Sequence, residues 1–129
     1  MRCEIVAVGT ELLLGQIVDT NAAWMADRLN DLGINLLYKT VVGDNPGRMT
    51  EVIDRALERS DVVITGGGLG PTQDDITREI IAKVTGRKLV LDAHLADEIE
   101  RRFRARGLIM TPNNERQALI PEGAISVEN

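Results

Sequence analysis

Cysteine, histidine and aromatic residues are nearly missing from this sequence. Cys3 is the one cysteine among 129 residues, so no internal disulfide can form, and with His94 as the sole histidine there is no Cys/His cluster for a zinc finger. Trp24, Tyr38 and Phe103 are the only aromatics, too few for the stacking platforms on which single-stranded nucleic-acid binders depend. Basic residues are also in deficit, 15 Lys and Arg against 20 Asp and Glu, and the net charge of −5 repels polyanions. No run approaches the roughly 18 apolar residues of a membrane span, and the N-terminus lacks the basic flank and apolar stretch of a signal peptide. The expectation is a cytoplasmic protein with neither nucleic-acid nor membrane partners.

What is present is enough for a core: 43% of residues are hydrophobic and 27% charged, within the globular range. The length predicts one domain over residues 1–129. Cys3 to Gly9 is a short apolar run ending at glycine, the mark of a buried parallel strand. Thr20 is placed to cap a helix whose apolar positions are Ala22, Met25, Leu29 and Leu32, with Gly33 ending it. A second strand over Ile34 to Val42 leads through turn formers to Pro46, which suits a helix start, and Met49, Val52, Ile53, Ala56 and Leu57 form that helix's apolar face. Asp61 to Thr65 is a third strand, followed by GGGLGPTQDD and a helix through Ile76, Ile80, Ile81 and Val84.

Further on, Lys88 to Leu91 reads as a strand and Ala96, Ile99 and Phe103 as a helix stripe. Thr111 to Asn114 reads as a turn, Arg116 to Leu119 as a short helical piece, and Ala124 to Val127 as a last strand. This alternation predicts an α/β fold with a parallel sheet covered by helices on both faces. Ligands of such sheets bind beyond the carboxyl ends of the strands. The rule selects the loops at Gly9, Thr10 and Glu11, at Gly43 and Asp44, and from Gly66 to Asp75.

Gly66, Gly67, Gly68 and Gly70 let the backbone turn sharply and bring N–H groups against an anion, with a helix start behind them. The spacing is not that of a P-loop, and no lysine follows to meet a terminal phosphate. Asp74 and Asp75 would repel a bare phosphate, and a divalent cation removes that conflict by joining carboxylates to phosphate oxygens. Glu11 and Asp44 could add oxygens to the same crevice. The plainer alternative is that Asp74 or Asp75 only caps the helix. The arginines at 101, 102, 104 and 106 read as a solvated face, His94 as a surface residue, and Cys3 and Trp24 as packing.

The segments GTELLLGQIVDTN, TGGGLGPTQDDIT and ERQALIPEGA resemble, in register along nearly the whole chain, the N-terminal domain of the CinA competence/damage-inducible family. That domain is similar to the wider group that binds molybdopterin, including the molybdopterin adenylyltransferases, whose shared mark is a GG-x-G loop followed by an aspartate. The resemblance implies a three-layer α/β sandwich with a mostly parallel sheet, of the molybdopterin-binding type. It also implies metal-dependent hydrolysis of ADP-ribose to AMP and ribose 5-phosphate, with Mg²⁺ or Co²⁺ expected, and a homo-oligomer.

Carried over by position, Gly67, Gly68, Gly70 and Thr72 would cradle phosphates, Asp75 would be the metal-associated aspartate, and Asp44 the acidic residue after the second strand. Asn21 would lie near the ligand, and Asp74 or Glu11 would take a proton from water. Gly66 departs from the family's usual threonine. The family continues past residue 129 with a segment like GTAPG and often a nicotinamide-mononucleotide deamidase domain, neither of which is in this sequence, so a truncated domain with an incomplete pocket is the expectation. The rival implied by the same resemblance is a module that holds molybdopterin or a nucleotide without hydrolysis.

Overall fold

Strand β1 (Arg2–Val8) lies at the centre of a three-stranded sheet, between β2 (Asn35–Val42) and β3 (Val62–Gly66), and both neighbours run parallel to it. Its register runs from Cys3 opposite Val62 to Ala7 opposite Gly66 on one side, and from Arg2 opposite Asn35 to Val8 opposite Val42 on the other, with a shift between Cys3 and Glu4. The parallel strands deliver their carboxyl ends to one edge. The structure is a computed structural model that describes residues 1–127, and the chain divides into two compact units, Met1–Gly68 and Leu69–Asn129.

The first unit is built in three layers because β1 is apolar on both faces, Cys3 to Val8 being buried throughout. Cys3 and Ile5 pack with Ala22 and Leu29 of α2 (Thr20–Asp31), supported by Met25, Leu36, Val62 and Ile64. The alternate residues Glu4, Val6 and Val8 face the opposite way, the side of α3 (Pro46–Arg59), whose Met49, Ile53 and Ala56 are buried. Each fully buried Ile, Met or Val contributes roughly 1.5–3 kcal/mol. Glu4 is the one carboxylate in this interior. Its two oxygens meet the Arg59 guanidinium at 2.8 Å each, and Thr40 donates its hydroxyl at 2.8 Å. The Arg59 bonds hold the Glu4 carboxyl below the usual range, and Arg59 stacks 3.7 Å over the Tyr38 ring.

Within the second unit, α4 (Thr77–Val84) and α5 (Ala93–Ala105) accompany a two-stranded antiparallel sheet of β4 (Leu89–Leu91) and β5 (Leu119–Pro121). A short helix α6 (Pro112–Glu115) and a 3-10 turn (Arg116–Ala118) precede β5. No helix among the described residues is long and apolar enough to cross a membrane.

Several local expectations are corrected. Asp19, not Thr20, caps α2, its Oδ1 accepting from the Ala22 N–H at 2.9 Å. Leu32 and Leu57 are 73% and 44% exposed and leave their helices' buried stripes, and Trp24 is exposed with Arg28 stacked on it rather than packed. The Thr111 to Asn114 segment is a helix start, where Asn114 accepts from the Thr111 N–H and hydroxyl, and not a free turn. The last strand is Leu119–Pro121; residues 124–127 form none. A one-turn helix α1 (Thr10–Leu13) fills the connection after β1.

Candidate functional site

The carboxyl edge of the first unit's sheet holds a cavity of about 230 Å³. Gly67 shapes it. Its backbone is left-handed, φ +95, and a Cβ there would overlap the Val8 carbonyl oxygen, so only glycine lets the end of β3 turn this close to β1. Gly66 and Gly67 form one wall, and Glu11, Asp19, Thr20 and Asn21 supply polar groups. Leu12, Ile17, Val18 and Met25 make the remainder apolar. Four residues expected from the sequence, Glu11, Asn21, Gly66 and Gly67, thus meet at one cavity, in the position the parallel-sheet rule selects. The apolar wall was missed, because Ile17 and Val18 lie outside any periodic element.

Gly9 and Thr10 reach the same edge in another role. The Gly9 N–H donates to the Val42 carbonyl at 2.9 Å, tying the two strand ends together. Thr10 gives its N–H and hydroxyl to Asp44 Oδ2 at 3.1 and 2.9 Å, and its Oγ1 accepts from the Asp44 N–H at 3.2 Å. Both donors of Thr10, which sits in a loop the ligand rule selects, are therefore committed to a carboxylate.

In the second unit, the segment after Gly68 folds back on itself. Asp75 Oδ2 accepts from the Thr72 N–H at 2.9 Å and from its hydroxyl at 2.6 Å. The Thr72 hydroxyl bond, with the Thr72 and Gly70 N–H groups adding to it, holds the Asp75 carboxyl below the usual range. A Cβ on Gly70 would fall 2.5 Å from that same oxygen, which explains glycine there. Neither Asp74 nor Asp75 caps α4: the cap position is Ile76 and has no side-chain bond, while Asp74 is exposed.

Two arginines hold this loop from its carbonyl side. Arg78, 7% exposed, donates to the carbonyls of Leu69 and Gly70, the latter at 2.8 Å. Arg116 donates to the Thr72 carbonyl at 2.9 Å, the Asp75 carbonyl at 3.3 Å and Glu79 Oε1 at 2.6 Å. A trans peptide points its N–H opposite to its carbonyl, so fixing these carbonyls turns the N–H groups of Gly70, Gln73 and Ile76 away from the arginines. Burial draws the Arg78 pKa down. The sequence carries one local hint of this: an arginine in a helix's first turn opposes the helix dipole and needs another partner.

The donor set fits a divalent cation in one mode only. Among the described residues no group of three His, Cys, Asp or Glu side chains is assembled to hold a metal. Asp44 belongs to the first unit and Asp75 to the second, and each has Oδ2 engaged by a threonine. A largely hydrated ion carried by substrate phosphates and met by a single carboxylate suits such residues; a protein cage does not.

Comparison with known proteins agrees with this geometry. Residues 4–125 match the family described as probable molybdopterin binding domain. A competence-damage inducible protein of Caldicellulosiruptor saccharolyticus is 53% identical over all 129 residues, and a CinA-like protein of Dictyoglomus turgidum is 51% identical over the same length. The chain spans 31% of the length of each of these relatives. Among solved structures, the protein CinA of Thermoplasma acidophilum superposes with a TM-score of 0.89 at 35% identity, covering 99% of this chain and 75% of that one. The tungsten cofactor synthesizing protein MoaB of Pyrococcus furiosus shares the fold, with a TM-score of 0.63 at 20% identity over 93% of this chain and 78% of that one. With its parallel sheet, its glycine turn against Val8 and these matches along its length, the chain belongs to the molybdopterin-binding domain family, in its CinA-like branch.

Proposed function

We propose that this domain binds a phosphorylated nucleotide or pterin and, with a divalent cation, hydrolyses ADP-ribose to AMP and ribose 5-phosphate. The observation that carries the reading is the arginine-backed loop, whose fixed Thr72 and Asp75 carbonyls turn the Gln73 and Ile76 N–H groups away from Arg116, the arrangement an anion cradle needs. In the first unit, Gly66 and Gly67 line the cavity at the sheet edge.

In the reaction, water attacks one phosphorus of the pyrophosphate, the bridging P–O bond breaks, and the bridging oxygen leaves on the other phosphate. A carboxylate takes the proton from water, Glu11 or Asp74, and separate Gln and Asn variants distinguish the two. Mg²⁺ or Co²⁺, when bound, would neutralise pyrophosphate charge, with Asp75 or Asp44 as its single proposed protein oxygen.

A second reading has its own support: the family description and the apolar cavity wall suit a pterin ring held without hydrolysis. Calorimetric titration with ADP-ribose and with molybdopterin separates them. The first reading expects ADP-ribose to bind with turnover; tight pterin binding with none of ADP-ribose replaces it by the second.

A further inference from the structure

Asp19 is half-spent. Its Oδ1 is fixed in the α2 cap by the Ala22 N–H, while its Oδ2 is buried and has no hydrogen-bond partner among the described residues. Buried carboxylate oxygens are almost always paired, so one left over in a cavity wall calls for a donor from outside the chain. Asp19 lines the cavity at the sheet edge, and so do Glu11 and Asn21. No lysine or arginine lines that cavity, so two carboxylates face a partly apolar space with no cation to balance a phosphate. The occupant it fits is an uncharged ring that carries N–H donors on one edge and apolar faces.

We infer that Asp19 is a specificity-determining residue that accepts a hydrogen bond from the exocyclic amino group of the ligand's ring. This rests on the proposed binding of a nucleotide or pterin. The ring enters the cavity, a small shift of the wall around Asp19 uncovers Oδ2, and the amino group supplies the missing donor while Oδ1 keeps the Ala22 cap. An amino group is shared by adenine and by pterin; an oxo group in its place offers only an acceptor and leaves two acceptors facing each other. A site built to meet a donor rejects the analogue that lacks it.

The test uses Asp19→Asn, which keeps an oxygen for the Ala22 cap and puts an NH₂ donor in place of the other oxygen. Wild type and D19N are titrated calorimetrically with ADP-ribose and inosine diphosphate ribose, and with pterin and lumazine, each pair differing in the amino group. Melting curves check that the cap is kept. Wild type is expected to prefer the aminated member of whichever pair it binds by at least tenfold, and D19N to lose or reverse that preference. Unchanged preference in D19N overturns the role of Asp19 while leaving the proposed binding intact. Failure of wild type to bind either pair overturns both.

Discussion

Asp75 turns its carboxylate back onto Thr72, accepting from the N–H at 2.9 Å and the hydroxyl at 2.6 Å, so the proposed cation-binding acid also braces the loop it belongs to. Asp75→Ala removes the brace and the proposed cation oxygen together. Metal-dependent AMP release should fall by about 100-fold or more, the scale of losing one preorganised electrostatic group. Circular dichroism should stay that of the wild type. Wild-type turnover in the variant would remove Asp75 from the site.

Arg116 and Arg78 act on the same loop from behind. Arg116→Ala frees the Thr72 and Asp75 carbonyls and should raise KM for ADP-ribose more than it lowers kcat, because the anion cradle is loosened and the reacting groups are untouched. Arg78 is buried, and Arg78→Ala leaves the Leu69 and Gly70 carbonyls without donors. Denaturant unfolding should show a loss of about 2 kcal/mol.

Gly67→Ala combines a left-handed backbone with overlap on the Val8 carbonyl oxygen. Stability should drop by on the order of 3 kcal/mol, and ligand affinity should fall with it as the end of β3 is pushed from β1. A variant as stable as the wild type would contradict the close approach.

Acid should loosen the first unit through two carboxyls with depressed pKa values. Asp61 is lowered to about 2, chiefly by hydrogen bonding to the Arg2 guanidinium, and Glu4 is lowered by Arg59. A depressed carboxyl adds its full stability above its unfolded value, here 3.8 for Asp61 and 4.5 for Glu4, and loses it as pH falls towards the folded one. Melting temperature should therefore decline below about pH 4.5, and Glu4→Gln should flatten part of that decline while lowering the plateau at neutral pH.

The sheet, its helices and the location of the cavity were legible because each rests on a local pattern: apolar strands stopped by glycine, helical stripes, and turn residues at fixed places. Glu11, Gly66 and Gly67 followed from the rule that parallel strands deliver ligands to their carboxyl ends, and Asn21 from the family resemblance. The second unit was harder to read. β4 and β5 are three residues each, too short for alternation to declare a strand, and their antiparallel pairing depends on partners about 30 positions apart. Arg116 reaches Thr72 across 44 positions, and no pattern near either residue announces it. Thr10 lies in a loop that the ligand rule selects, and the sequence cannot show that Asp44 takes both its hydrogens.

Hydrolysis by this domain is decided by AMP release from ADP-ribose, measured with Mg²⁺, with Co²⁺ and with EDTA, for this 129-residue chain and for the same chain extended to the length of its relatives. Metal-dependent AMP and ribose 5-phosphate, abolished by EDTA, are expected from the extended chain. No AMP from either chain under any metal would contradict that expectation and leave a binding domain without hydrolysis.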